Sequence, residues 1–93
     1  MIRLNVFFAL PDQSKRAELI AAASELVDKS RADKGVIAYD FFASQTIDAN
    51  FLICETWTDR ESLDAHSKTE HFARLVGKIQ ELCGAIKLEE FFF

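Results

Sequence analysis

Side chains able to do chemistry are concentrated between residues 51 and 72. Glu55 and Trp57 alternate with other residues in a predicted strand, so their side chains share one face. His66 and His71, the two histidines of the chain, follow in a predicted helical segment. We therefore expect any chemical site of this protein to draw mostly on this stretch.

His66 and Glu55 are the candidate catalytic residues. An imidazole has an unperturbed pKa near neutrality, which suits His66 to accept a proton at physiological pH. Its alternative role is that of an imidazole on a helix surface or at a helix cap. Glu55 is a carboxylate on an apolar strand face, where such a group normally needs a partner. Its alternative role is an ion pair, with Arg3 or Arg74 as the expected cation.

Five further residues are candidates for substrate binding: Trp57, Asn5, Tyr39, Phe42 and His71. Trp57 is expected to form an apolar wall against an aromatic ring, and Asn5 to hold a substrate oxygen. Tyr39 and Phe42 are expected to line a pocket or an interface between subunits. Each has a structural alternative: core packing for the rings, backbone hydrogen bonding for Asn5, and seating of the second helix for His71.

The sequence carries no motif for a nucleotide or a metal, and we expect no cofactor. It lacks a G-x-G-x-x-G motif, a phosphate loop and a Cys/His cluster of metal-site spacing. His66 and His71 are five positions apart, which in a continuous helix turns their side chains about 140° away from each other. We therefore expect them not to share a metal. Cys54 and Cys83 are expected to be free, because disulfide-stabilised small domains are usually richer in cysteine.

Composition limits the class of protein. Ninety-three residues are enough for one domain, which we expect to span 1–93. The chain is 49% hydrophobic and has nine Phe, more apolar material than a small monomer can easily bury, which indicates self-association. The net charge is −4 and the sequence has no cluster of basic residues, so nothing in it indicates a surface that binds nucleic acid. Without a signal peptide or an apolar run of about 20 residues, we expect a cytoplasmic protein that does not contact membranes.

Hydrophobic periodicity predicts four strands and two helical segments. Capping boxes formed by Thr58 with Glu61 and by Ser67 with Glu70 predict a break within the second helical segment. Gly35 is expected at the C′ position that ends the first helix. The predicted strands are 2–10, 36–45, 51–58 and 86–93, and the predicted helical segments are 13–33 and 59–83.

This β-α-β-β-α-β order predicts an α+β, ferredoxin-like fold. Two right-handed crossovers place the first strand beside the third, giving a four-stranded antiparallel sheet with both helical segments on one face. The other face of the sheet is then bare. We expect a second copy of the chain to cover it, sheet against sheet, and the terminal run 91–93 of three Phe supports this.

Several short motifs stand at the spacing of a known family. They are E-x-W at 55–57, D-A-H at 64–66 and H-F at 71–72, together with Arg3 in the first strand and Gly35 before the second. In these features, and over nearly its whole length, the chain resembles the antibiotic biosynthesis monooxygenase (ABM) domain, in particular its small quinol monooxygenase-like branch.

The resemblance implies a dimeric α+β barrel, in which two sheets pack face to face and each subunit has a pocket between sheet and helices. It also implies oxidation of a quinol or polyphenol by molecular oxygen without metal or flavin. The expected partners are therefore a second copy of the chain and a small aromatic substrate. This chemistry is physically reasonable, because an electron-rich phenol can reduce oxygen once it has lost its proton.

Two other functions remain open on the same fold. The first is haem degradation, with His66 or His71 as the axial ligand. The second is a dimeric binding module or an isomerase for a small carbonyl metabolite, in which Glu55 and His66 bind or enolise the ligand. Dependence on oxygen separates the oxygenase from the second alternative, and a haemin titration tests the first.

Overall fold

The computed structural model describes residues 1–93 and has a four-stranded antiparallel sheet with helices on one face. The strand order is β2-β3-β1-β4, which confirms the predicted ferredoxin-like arrangement with the first strand beside the third. A short 3-10 turn, Gln13–Lys15, precedes the first helix. The elements are β1 Ile2–Ala9, α1 Arg16–Ser30, β2 Val36–Ala43, β3 Asn50–Trp57, α2 Arg60–Ser67, α3 Glu70–Cys83 and β4 Lys87–Phe92.

Strand β1 is central, and its alternation divides the sheet into two faces. Ile2, Leu4 and Phe8 are buried on the face that carries the helices. Their neighbours point to the other face, because successive side chains of a strand alternate. The strand pairs antiparallel with β3 on one side and with β4 on the other.

Helix α1 packs through one face. Its buried residues are Leu19, Ala22, Ala23, Leu26, Val27 and Ser30. The helix is shorter than the predicted 13–33, because the 3-10 turn takes up its beginning and Ser30 is its last residue.

The first predicted capping box is wrong. Asp59, not Thr58, caps α2, and its carboxylate accepts a hydrogen bond from the Ser62 backbone N–H at 2.8 Å. Thr58 instead continues the strand pairing, because its N–H donates to the Gly35 carbonyl. The helix therefore begins one residue later than the box implied.

The second predicted capping box is also wrong, although the break that it predicted is present. Ser67 belongs to α2, and its hydroxyl donates to the carbonyl of Asp64. Thr69 caps α3 instead by accepting from the Phe72 N–H at 3.2 Å. Two helices with separate caps thus replace one continuous helix, so α2 and α3 can run in different directions.

Gly35 has the predicted left-handed backbone, with φ of 85°, but it does not end α1. It lies five residues beyond that helix, just before β2. A Cβ at this position would stand 2.1 Å from the hydroxyl oxygen of Ser62. Gly35 therefore allows the chain to pass against α2, which is a different reason for glycine from the one that the sequence indicated.

The face of the sheet opposite the helices has no cover within the chain. Phe42 and Phe7 lie there, on either side of Leu52 in the strand register, and they are 50% and 37% exposed. Phe91 adds a further exposed ring on the β4 edge. None of the helices is long and apolar enough to cross a bilayer.

Candidate active site

A cavity of about 460 Å³ lies between the helix-bearing face of the sheet and helices α2 and α3. Its walls are mainly aliphatic and aromatic, and a few polar side chains interrupt them. The apolar walls include Leu4, Val6, Phe8, Ile53, Leu63, Phe72, Val76, Ile79, Ile86 and Leu88, and the polar residues are Tyr39, Glu55, Arg60, Asp64, Ser67, Gln80 and Glu90.

Glu55 presents a buried carboxylate to this cavity. Its side chain is on β3, it is 4% exposed, and its Oε1 accepts a hydrogen bond from the Trp57 indole Nε1 at 2.9 Å. Loss of hydration raises the pKa of Glu55 to about 7, and hydrogen bonding from Trp57 and Tyr39 offsets part of this rise. At neutral pH the carboxylate and the carboxylic acid are therefore both populated.

The expected ion pair of Glu55 is absent, so that prediction was wrong. The Arg3 side chain donates to the Thr56 hydroxyl, on the opposite face of the sheet. Arg74 pairs with Glu25 and with Glu70 on the helix surface. The partner of Glu55 is instead the indole two residues along the same strand, because both side chains point to one face.

Trp57 is fully buried and does not line the cavity. Its ring lies against the imidazole of His66, with centroids 4.5 Å apart and planes tilted by 34°. Tyr39 meets the indole edge-on, with centroids 6.3 Å apart. The indole therefore contacts both groups, since its N–H donates to the Glu55 carboxylate and its ring packs on the His66 imidazole.

The two histidines converge on one carboxylate oxygen. His66 Nδ1 and His71 Nε2 each lie 2.8 Å from Asp33 Oδ2. Since a carboxylate only accepts, these two ring nitrogens carry the protons. The expectation that the imidazoles point apart was wrong, because it assumed a continuous helix and α2 ends at Ser67.

His66 is 1% exposed, and its Nε2 has no hydrogen-bond partner. Burial lowers the pKa of His66 below its ordinary value, and the facing Asp33 carboxylate offsets part of this change. Neither His66 nor His71 lines the 460 Å³ cavity. Asp33 has no local sequence signal, because it lies in the loop after α1 and meets the histidines only through the tertiary fold.

The other predicted substrate-binding residues divide between the two faces of the sheet. Tyr39 lines the cavity with Glu55, and burial raises the pKa of its hydroxyl well above the usual range. Asn5 and Phe42 lie on the opposite, uncovered face. A role for them in substrate binding stays a prediction, and their position suits an interface between subunits better.

Arg60 and Glu90 were missed by the sequence analysis, because they are far apart in the chain and ordinary in type. Arg60 Nη2 lies 2.6 Å from Glu90 Oε1, and its guanidinium stands over the Phe92 ring at 5.6 Å. Both line the cavity with Asp64. The only cation among the lining residues is therefore already paired with an acid.

Comparison with known proteins assigns the family. The family model described as "Antibiotic biosynthesis monooxygenase" matches residues 1–78. The chain belongs to the antibiotic biosynthesis monooxygenase family. This confirms the resemblance found in the sequence and supports a general monooxygenase-like function.

Relatives agree with that assignment. The protein YcnE of Bacillus subtilis (strain 168), which carries a provisional monooxygenase name, is 34% identical over 85 residues, covering 91% of this chain and 88% of its own. An uncharacterized protein of Synechocystis is 37% identical over 68 residues, covering 73% of this chain, but the match spans only 46% of that protein.

Solved structures of similar proteins share the fold. A conserved protein of unknown function from Bacteroides thetaiotaomicron superposes with a TM-score of 0.93 at 51% identity, covering 99% of this chain and 96% of that one. A crystal structure named as an antibiotic biosynthesis monooxygenase gives a TM-score of 0.91 at 29% identity, with coverage of 100% and 98%. The ferredoxin-like fold of this ABM protein is thus the fold of its relatives.

Proposed function

We propose that this ABM protein is a cofactor-independent monooxygenase that oxidises a neutral quinol or polyphenol with molecular oxygen, and that Glu55 accepts the phenolic proton. The observation that carries the proposal is the buried carboxylate in a largely apolar cavity, with a pKa raised to about 7. A general base works best when its pKa lies near the working pH, and burial places Glu55 there.

The chemistry balances without a cofactor. Loss of the phenolic proton to Glu55 leaves an electron-rich phenolate, which reduces oxygen. One oxygen atom bonds to a ring carbon, and the other leaves as water with two hydrogen atoms of the substrate. A hydroquinone thereby becomes a hydroxyquinone, and the ring supplies all the electrons. The protein needs to bind the ring, take the proton and exclude bulk water.

Charge around the cavity favours a neutral substrate. Glu55, Asp64 and Glu90 are acidic, and the one cation, Arg60, is paired with Glu90. A phosphate or carboxylate group would find no free cation there and would be repelled by the acids. An uncharged hydroxylated ring suits the apolar walls and can donate a hydrogen bond to Glu55.

Within this proposal His66 is a positioning residue and not the base. Its ring packs on Trp57, and the Trp57 N–H is the donor that orients the Glu55 carboxylate. Its Nδ1 already donates to Asp33, and its ring does not line the cavity. These contacts support a role for His66 in holding the Trp57 indole in one orientation. The indole in turn orients the Glu55 carboxylate.

The test is oxygen uptake with a panel of hydroquinones, with products analysed by mass spectrometry after reaction under isotopically labelled oxygen. The expected product carries one labelled oxygen atom. Glu55→Gln keeps the shape and an acceptor oxygen for Trp57 but loses the base, so turnover is expected to fall by about 10²–10⁴-fold. Glu81→Gln is the matched control, because it makes the same substitution at an exposed carboxylate outside this cavity and should retain most of the activity.

Full turnover by Glu55→Gln would contradict the role of Glu55 as the base. If Glu55→Gln kept its turnover while His66→Gln lost it, the imidazole of His66 would be the base instead. Turnover of a carbonyl metabolite in the absence of oxygen would favour the isomerase instead. Haem degradation receives no support from the geometry, because neither imidazole lines the cavity.

We also propose that two copies pack through their uncovered sheet faces. Phe42, Leu52 and Phe7 form an apolar row across three strands of that face. Phe42 and Phe7 are exposed in the single chain, and burying such rings removes apolar surface from water. Asn5 lies on the same face and would then contact the second copy.

A further inference from the structure

We propose that Asp33, His66 and His71 form a binding site for a divalent transition-metal ion, with Zn²⁺ the ion that suits these ligands best. Two imidazole nitrogens and one carboxylate oxygen are ligand types that zinc takes in proteins. The site is separate from the cavity proposed for the reaction, since none of the three side chains lines that cavity.

The ligand atoms are already close enough. One atom from each side chain lies within 4.8 Å of the other two, and both nitrogens are 2.8 Å from the same Asp33 oxygen. Zinc bonds to nitrogen and oxygen are about 2.0–2.2 Å, which sets neighbouring ligands of a tetrahedron about 3.3 Å apart. The carboxylate therefore has to withdraw from each imidazole by only about 0.5 Å to admit the ion.

Three different segments supply the ligands, and each is fixed by backbone hydrogen bonds. The N–H of Asp33 donates to the Ser30 carbonyl at the end of α1. Thr69, in the connection between α2 and α3, donates through both its N–H and its hydroxyl to the His66 carbonyl. The geometry of the two histidines is thus established before any ion binds, which reduces the ordering that binding requires.

A second, smaller cavity gives the ion a path and a place for a fourth ligand. It has a volume of about 170 Å³ and is lined by Asp33 and His66 together with Lys34, Asp59 and Glu61. Water in this cavity can complete a tetrahedron of three protein ligands and one solvent molecule. Asp59 and Glu61 add negative charge near the entrance, which Lys34 opposes.

Coordination requires a change of tautomer. In the metal-free protein, His66 Nδ1 and His71 Nε2 carry protons toward Asp33. For the ion to bind these two nitrogens, each proton first moves to the other nitrogen of its ring. This frees a lone pair for the ion and leaves both imidazoles neutral. The receiving atom of His66 is Nε2, which is buried and has no partner. This weakens binding relative to a site with a satisfied outer shell.

A bound zinc ion should link the loop after α1, through Asp33, to the two helices that carry His66 and His71. An ion that binds the folded chain and not the unfolded one stabilises the folded chain by RT ln(1 + [L]/Kd), an amount that grows with the concentration of free ion. We therefore expect zinc to raise the melting temperature of the folded chain.

The test is isothermal titration of the protein with ZnCl₂, after removal of any histidine tag. The background is Cys54→Ser with Cys83→Ser, because both thiols are free and thiolates bind zinc. We expect one ion per chain. Asp33→Asn and His71→Gln should each weaken binding by at least about tenfold. His71→Gln keeps a donor for Asp33, so it preserves the fold where a smaller residue would leave a gap.

Asp28→Asn is the matched control for Asp33→Asn, because it makes the same substitution at an exposed position of α1 that lines neither cavity. It should bind zinc as the background protein does, and zinc should raise its melting temperature by more than that of His71→Gln. Absence of saturable binding at one ion per chain would overturn the proposal. So would equal affinities for Asp33→Asn, His71→Gln and the Asp28→Asn control.

Discussion

Glu55 owes its chemistry to where the fold places it. An exposed glutamate is fully ionised at neutral pH and is a poor base. Burial against an apolar cavity raises the pKa of Glu55 to about 7, while the Trp57 N–H keeps the ionised form accessible by donating to it. The same indole fixes the direction in which the carboxylate faces the cavity.

The raised pKa of Glu55 makes stability depend on pH in a defined direction. The ordinary pKa is 4.5 and the folded value is about 7, so between these values the folded protein holds a proton that the unfolded chain has released. The stabilising contribution is complete below a pH of about 4.5 and is lost as the pH rises through about 7. Relative to Glu55→Gln, the wild-type protein should lose up to about 3 kcal/mol over this range.

Urea denaturation of both proteins at a series of pH values measures this difference. The comparison isolates Glu55, because His66 and the other titrating groups are common to the two proteins. Parallel stability curves for wild type and Glu55→Gln would mean that the carboxyl titrates as an exposed one does.

At the residue scale, the sequence predicts contacts correctly where the two residues are close together in the chain. The alternation of β3 placed Glu55 and Trp57 on one face, and the structure confirms that arrangement. It could not find Asp33, whose contact with His66 spans 33 positions of sequence. Such a contact depends on the path of a loop, and loop paths have no simple periodicity.

The break between α2 and α3 is the element that brings the two histidines together. Thr69 lies between the two helices and caps α3. The change of direction there brings His71 to the Asp33 carboxylate, which His66 also contacts. The sequence predicted the break but placed its cap at Ser67. Ser, Thr and Asp are all good caps, so composition alone cannot choose between adjacent candidates.

The contact of Gly35 with α2 gives a prediction at the scale of elements. Gly35→Ala introduces a Cβ 2.1 Å from the Ser62 hydroxyl oxygen and requires a left-handed backbone that alanine disfavours. We expect a loss of about 2–4 kcal/mol in the free energy of unfolding. Urea denaturation followed by circular dichroism measures it.

Gly77→Ala is the matched control. Gly77 lies within α3, and a Cβ there meets nothing within 4 Å. The same substitution should therefore stabilise the protein by about 0.5–1 kcal/mol, because alanine favours helix more than glycine does. Equal effects at the two glycines would show that α2 does not press on Gly35.

The whole fold was predictable because each element has a clear period and the order of elements leaves few topologies. The order β-α-β-β-α-β and right-handed crossovers together place β1 beside β3. The cavity was less predictable, because its volume depends on how far α2 and α3 stand from the sheet. That separation is set by many side chains at once.

The proposed assembly gives a prediction for the whole molecule. Phe42→Lys places a charge on the uncovered sheet face and should convert a dimer into single chains, since an unpaired charge is costly in an apolar interface. Ile47→Lys is the control, because Ile47 is similarly exposed but lies outside the strands. Light scattering after size-exclusion chromatography gives the mass. A wild-type mass equal to one chain, or a dimer that survives Phe42→Lys, would contradict the sheet-to-sheet arrangement.

The pH dependence of oxygen uptake with a neutral hydroquinone tests the role of Glu55 most directly. As the carboxyl ionises, kcat/KM should rise with a midpoint near its pKa of about 7, for wild type and for Glu81→Gln alike. Glu55→Gln should be slow at every pH and should lack this rise. A wild-type profile that is flat from about pH 5 to 9, or a midpoint near 7 that persists in Glu55→Gln, would show that another group takes the proton.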